Sequence, residues 1–285
     1  YLFEASVGGG IPIIRPLCQC LAANYIEGIA GILNGTTNFI LTMMIEKGMS
    51  FDEALKIAQE KGYAEKDPTA DVEGHDACRK VCILASLAFG KHVYPNQVET
   101  EGITNITLED VSYIENAGGV IKLLGQIKYI NDNEIAAFVS PAVVYNGSQL
   151  ASVKDVFNAI LVRGDAVGDV CFYGPGAGKL PTASAVVADI IDCAKHSERK
   201  KIFGWGAGDE DYVVDYKERI EMPFYVRAKA TPAEINAKFS DVKFLSRKGQ
   251  PSDEVAFITD IMTENKLNKK LDGINVINTI KVTNY

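Results

Sequence analysis

EKGYAEKDPTADVEGHDACRK, residues 60–80, sets four basic side chains and six carboxylates in one short stretch and runs directly into VCILASLAF, residues 81–89. A solvated loop tolerates that density of charge. The run that follows does not belong on a surface, because a helix that is apolar nearly all round has to be buried. The pattern predicts a helix from about Asp71 to Phe89, with acids and a lysine at its mouth and its second half anchored in a core. Gly62 ends the preceding element, and Pro68 lies inside the charged loop.

Upstream, Ser50 and Glu53 form the S-x-x-E pattern of a capping box. Phe51, Ala54, Leu55 and Ala58 then share one helical face. Residues 35–47 read as a helix stopped by Gly48, and EGIAGILNG (27–35) as a buried strand. LFEASVGGGIPII (2–14) reads as a short strand, a glycine turn and the start of another element. Downstream, QIKYI, EIAAFVSPAVV, FNAILVRG and VGDVCFYG carry strand signals over 100–175. A helix is expected over about 182–195. GWGAGDEDY (204–212) marks the best boundary in the chain. Residues 223–285 read as strand (224–229), weak helix, strand (242–246), strand (255–259), helix (263–271) and strand (276–283). The expected fold is α+β: a mixed sheet with helices on one face over 1–204, a linker over 205–222, and a small ferredoxin-like βαββαβ module over 223–285.

The 285 residues suffice for one large or two ordinary domains, and 47% apolar content supports a sizeable core. A net charge of -8 argues against nucleic acid or an anionic membrane surface as the main partner. No run of about twenty apolar residues suggests a membrane span, and no charged-then-apolar leader suggests secretion. Cys18, Cys20, Cys78, Cys82, Cys171 and Cys193 include no C-x-x-C pair. Their spacing is wrong for zinc, so buried, reduced thiols of a cytoplasmic protein are expected.

On a helix, Asp76 and Lys80 share a face. The loop can fold Glu65 back over them, giving an ammonium and two carboxylates in one place. A carboxylate pair suits a substrate ammonium, and a lysine suits proton donation to a developing alkoxide. Spacing alone favours an ordinary i,i+4 salt bridge. His75, beside a glycine, reads as a surface or capping residue. GPGAGK (174–179) fails as a P-loop, because Tyr173 replaces the first glycine and Leu180 follows the lysine. It reads equally as a helix-entry turn or as a loop presenting N–H groups to a ligand.

The stretch Gly62-Tyr63-Ala64, Asp67-Pro68, Asp71-Val72-Glu73-Gly74-His75-Asp76 and Lys80 resembles the signature of homoserine dehydrogenases. EASVGGGIPII and FYGPGAGKLPTASAVVADI (172–190) extend the resemblance over roughly residues 1–195. It implies reversible NAD(P)-dependent interconversion of aspartate 4-semialdehyde and homoserine. Lys80 would then be the proton donor, and Asp76 and Glu65 would bind the amino-acid substrate with support from Asp71. Gly178 would contact the cofactor. Backbone carbonyls near Glu4, Val7, Gly9 and Ile11 would hold a monovalent cation such as sodium. The resemblance also implies a homodimer through the central sheet. It further implies a nucleotide-binding domain preceding Tyr1, to which 182–204 would return. Without that domain the expectation is little or no turnover. Residues 223–285 resemble an ACT domain, which would bind threonine, although TPAEINAKFS stands where that family has D-x-P-G-V-L. A different class of function also fits the sequence: a non-catalytic amino-acid-sensing and oligomerisation module.

Overall fold

The structure, a computed structural model, describes residues 1–198 and 204–285. The far end of the expected 182–204 return segment therefore lies outside the described residues.

The first strand, β1 (Ile26–Ile32), leads to α1 (Gly35–Lys47), α2 (Phe51–Glu60), α3 (Thr69–Val72) and α4 (His75–Phe89). Next come β2 (Glu99–Thr100), α5 (Leu108–Asn116), β3 (Gly119–Asn131), β4 (Glu134–Tyr145), β5 (Phe157–Gly164), β6 (Gly168–Pro175) and α6 (Lys179–Lys195). The remainder is α7 (Tyr216–Arg219), β7 (Glu221–Met222), β8 (Phe224–Lys229), α8 (Pro232–Lys238), β9 (Val242–Leu245), β10 (Glu254–Thr259), β11 (Met262–Thr263), α9 (Glu264–Leu271) and β12 (Asn275–Val282).

Ten strands form one mixed sheet in the order β6-β5-β1-β3-β4-β12-β8-β10-β9, with β2 also on β4. β2 and β12 run parallel to β4; the other neighbours are antiparallel. β4 is apolar and buried over nearly its whole length, as suits a strand covered on both faces. One face carries the main core, where Ile40, Leu41, Val81 and Leu84 of α1 and α4 meet Ile29, Ile127 and Ile160. On the opposite face, residues of α7, α8 and α9 pack with Phe138, Phe224 and Val226. The expected βαββαβ order of 223–285 is present in β8, α8, β9, β10, α9 and β12, whose strands continue the same sheet; the two-residue β11 lies between β10 and α9 and pairs with β7 in a separate two-stranded sheet. The stretch 205–222 is also packed, burying Tyr212, Tyr216, Ile220 and Met222.

Several expectations change. Residues 2–14 form no strand. Glu4–Ser6 is a 3-10 turn, and the buried Glu4 carboxylate accepts the N–H groups of Ile13, Ile14 and Arg15 at 2.7, 2.8 and 2.9 Å. Those bonds start a short π-helical turn at Pro16–Cys20, which no strand geometry could satisfy. The expected helix 71–89 is two helices, split where Gly74 turns left-handed at φ +82°. Within 100–175 the strand signals hide α5, capped by Thr107 and Asp110. All six cysteines are free, but only Cys78 and Cys82 are buried; Cys20, Cys171 and Cys193 are exposed. Among the described residues no helix is long and apolar enough to cross a membrane.

Candidate active site

The junction of β1 and α1 builds the floor of the site. Asn34 caps α1, its side-chain oxygen accepting the Thr37 N–H at 2.9 Å. That bond fixes the amide, whose nitrogen then donates to Asp71 Oδ1 at 2.6 Å and Asp76 Oδ2 at 2.9 Å. The break at Gly74 is what lets α3 and α4 bring these two carboxylates to one donor. One turn along α4, Lys80 Nζ donates to Asp76 Oδ2 at 2.7 Å and to the Leu33 carbonyl at 2.8 Å. An ammonium has three donors, so one N–H remains uncommitted. Lys80 and Asp76 are 19% and 33% exposed at the side chain, so the pair is accessible yet positioned by a buried helix.

These groups open into a cleft of about 640 Å³. Its acidic wall holds Glu65, Asp67, Asp71 and Asp76 beside Lys80 and Arg79. Thr36 ties the loop to α1 by donating to the Tyr63 carbonyl at 2.7 Å, and Gln59 donates to the Glu65 carbonyl at 3.1 Å. The opposite wall is the loop Pro175–Gly178, with Val156 and Asn158 beneath it. Gly178 caps the 17-residue α6 without a side-chain bond, at φ +115°. The structure thus brings Lys80, Asp71, Asp76, Glu65 and Gly178 to one cleft. Glu4, Val7, Gly9 and Ile11 do not line it. They lie behind the loop: Gly10 N–H donates to the Pro175 carbonyl at 3.2 Å, and a Cβ on Gly9 would stand 2.2 Å from the Gly176 oxygen. Among the described residues no three His, Cys, Asp or Glu side chains converge to hold a metal ion.

Two residues of the cleft, Asn34 and Asn158, are not among the site residues expected from the sequence. Asn34 was legible as a polar residue before Gly-Thr-Thr at a helix start. Asn158 was legible only as a polar residue inside the strand run FNAILVRG. It is 1% exposed.

The family model "Homoserine dehydrogenase" matches residues 12–191. A homoserine dehydrogenase of Synechocystis sp. is 51% identical over 194 residues, covering 67% of this chain and 45% of that protein. The crystal structure of a homoserine dehydrogenase from Thiobacillus denitrificans superposes with a TM-score of 0.84 at 38% identity, covering 99% of this chain and 69% of that one. A hyperthermophilic archaeal homoserine dehydrogenase mutant in complex with NADPH gives a TM-score of 0.56 at 31% identity, covering 68% of this chain and 55% of that one. The chain spans about half the length of the curated relatives it matches.

Proposed function

Since the chain belongs to the homoserine dehydrogenase family, we propose that it supplies the substrate half of an enzyme that interconverts aspartate 4-semialdehyde and homoserine with NAD(P). The observation that carries this reading is Lys80, held by Asp76 and the Leu33 carbonyl with one N–H left for the cleft. In the reducing direction the aldehyde carbon gains a hydride and its oxygen a proton. The Lys80 ammonium supplies that proton to the developing alkoxide. Glu65, Asp71 and Asp76 present carboxylates to the substrate ammonium, and Asn34 keeps the two aspartates from drifting apart. A sensing module without chemistry would leave this lysine and its acids without a use.

The cofactor, when bound, supplies or accepts the hydride. The Pro175–Gly178 loop fits its nicotinamide end. Two of its four residues are glycine, it ends at the N-terminus of α6 without a side-chain cap, and it faces Lys80 across the cleft. A monovalent cation of the sodium class would sit among the carbonyls of Glu4, Val7, Gly9 and Ile11. The left-handed Gly8 and Gly9 and the burial of Val7 and Ile11 support this fit. The ion would add positive charge beneath the cofactor loop. Residues 1–204, 205–222 and 223–285 serve in this reading as catalytic region, connector and ACT-like regulatory module. The β-α-β-β-α-β order of the last region supports its ACT-like character, and threonine is the ligand that this likeness implies. A second copy would dock on the central sheet, where Phe157 and Tyr173 stack 5.3 Å apart and stay exposed. The cytoplasm is the compartment this biosynthetic role implies.

Replacing Lys80 by Met in the full-length enzyme tests the assignment. Turnover should fall by roughly 10²–10⁴-fold with the fold intact by circular dichroism. Unchanged kcat would exclude Lys80 as the proton donor.

A further inference from the structure

A second cavity, of about 270 Å³, opens where the two regions of the chain meet. Lys128 of β3 and Tyr145 at the end of β4 line it from one side, and Glu221, Met222, Ile261 and Val282 from the other. It shares no residue with the catalytic cleft. The charge around Lys128 is not balanced. Two cations share the Tyr285 ring, Arg163 at 4.7 Å and Lys128 at 5.8 Å from its centroid. Arg163 is neutralised by Asp169, donating from Nε and Nη2 to its two oxygens at 2.6 and 2.9 Å. Among the described residues Lys128 has no hydrogen bond and no ion pair, only that ring. Burial and the like charge of Arg163 both push its pKa below the ordinary lysine value. A ring face at this distance offsets only part of the cost of taking an ammonium out of water.

We propose that this cavity binds a small monocarboxylate with a short apolar tail, its carboxylate accepting from Lys128 Nζ and its tail lying against Met222, Ile261 and Val282. An anion supplies what the ammonium lacks, since a charge-assisted hydrogen bond is stronger than a neutral one. The volume is at the lower edge for small-molecule sites, which suits a compact acid and excludes a dinucleotide. The only carboxylate on the wall, among the described residues, is Glu221, and it is already paired with Lys266 at 3.0 Å. No free acid therefore waits for a ligand ammonium, and a plain carboxylate fits better than a zwitterion. Because its walls come from both regions, an occupied cavity ties β3 and β4 to β7 and β12 and stabilises the junction.

The test is calorimetric titration of the full-length protein with 4-methylpentanoate and with 4-methylpentanamide, which keeps the shape and loses the charge. The wild type should bind the carboxylate saturably and about tenfold more tightly than the amide, and only the carboxylate should raise the melting midpoint. In Lys128→Met and in the milder Lys128→Gln that gap should close, with unchanged turnover showing that both variants are folded. Equal binding of the two probes by the wild type overturns the proposal, and so does a gap that persists in both variants. Absence of saturable carboxylate binding overturns it as well. If Lys128→Met then weakens self-association in sedimentation, the ammonium serves an acidic side chain of a second copy instead.

Discussion

Lys122 is a buried base at 2% exposure, donating to Asn38 Oδ1 at 3.1 Å and to the Val153 carbonyl at 2.5 Å. Asn38 in turn donates to the carbonyls of Asp155 and Phe157 at 3.0 and 3.1 Å. Together they strap the loop before Asn158 onto α1. Burial, with Lys154 nearby, lowers the Lys122 pKa from 10.5 to about 8. Below about 8 both folded and unfolded chains carry the proton, and this group gives no pH dependence. Between about 8 and 10.5 the folded chain releases the proton while the unfolded chain keeps it, so stability rises with pH. The contribution approaches 3 kcal/mol in order of magnitude. Denaturant titrations at pH 7.5, 9 and 10.5 should show this rise in the wild type relative to Lys122→Met; parallel profiles would refute it. None of this was legible in GVIKLLGQIKYIN. Lys122 and Lys128 fall on the same face of β3, yet Lys122 is sealed and Lys128 is only half-buried. The packing of the 150–157 segment decides which lysine is sealed, and that is a tertiary fact.

At the scale of elements, glycine geometry decides the site. A Cβ at Gly74 would stand 3.0 Å from Thr100 Cγ2 and 3.2 Å from Val139 Cγ1, at φ +82°. Gly62 is also left-handed, at φ +72°, but a Cβ there would meet nothing within 4 Å. Gly62→Ala should therefore cost about 1 kcal/mol from backbone strain alone, and Gly74→Ala about 2 kcal/mol or more. Thermal melts should rank them in that order. Because Gly74 sets Asp71 against Asn34, its replacement should also raise KM for the amino-acid substrate. The sequence made Gly74 visible, but apolar periodicity ran through it and suggested one helix. Capping chemistry was a better guide. Ser50 and Glu53 mark a helix start in the sequence and in the structure, whereas the same geometry at Thr107 and Asp110 escapes the S-x-x-E pattern because aspartate replaces its glutamate. The acid and lysine cluster was legible as a set of residues. That they share one cleft depended on the turn at Gly74 and the cap at Asn34.

At the scale of the molecule, Asp110 joins the two regions. It is fully buried on α5 and accepts from Tyr225 at 2.9 Å and Asn278 at 2.9 Å, with Arg227 Nε at 3.3 Å. Nearby, Tyr113 donates to Glu254 at 2.8 Å, and Arg247 pairs with the same carboxylate at 2.9 Å. Asp110→Ala would remove the buried partner of Arg227, Tyr225 and Asn278 and leave the guanidinium only the more exposed Glu109 at 3.6 Å and the Thr107 hydroxyl at 3.2 Å, a loss of about 3 kcal/mol. Calorimetry of the 285-residue chain should show one transition in the wild type, since sheet and charge network cross the junction. Two resolved transitions would mean the regions unfold independently. The strand positions of the C-terminal region were readable from alternation. Their entry into the larger sheet was not, because no local pattern announces that Lys281 will lie beside Ala142.

That pairing has a consequence for how the chain is made. β4 gains β3 as a neighbour at once, since the two form a hairpin. Its other edge meets only the two residues of β2 until β12 arrives. At ribosomal rates of ~5–20 residues per second, the interval between the synthesis of Ala142 and of Lys281 is on the order of ten seconds. For that time a long apolar strand stands at the rim of a half-built sheet, the arrangement most open to pairing with a neighbouring nascent chain. Crowded polysomes, rather than the finished molecule, are where this architecture is most vulnerable to aggregation.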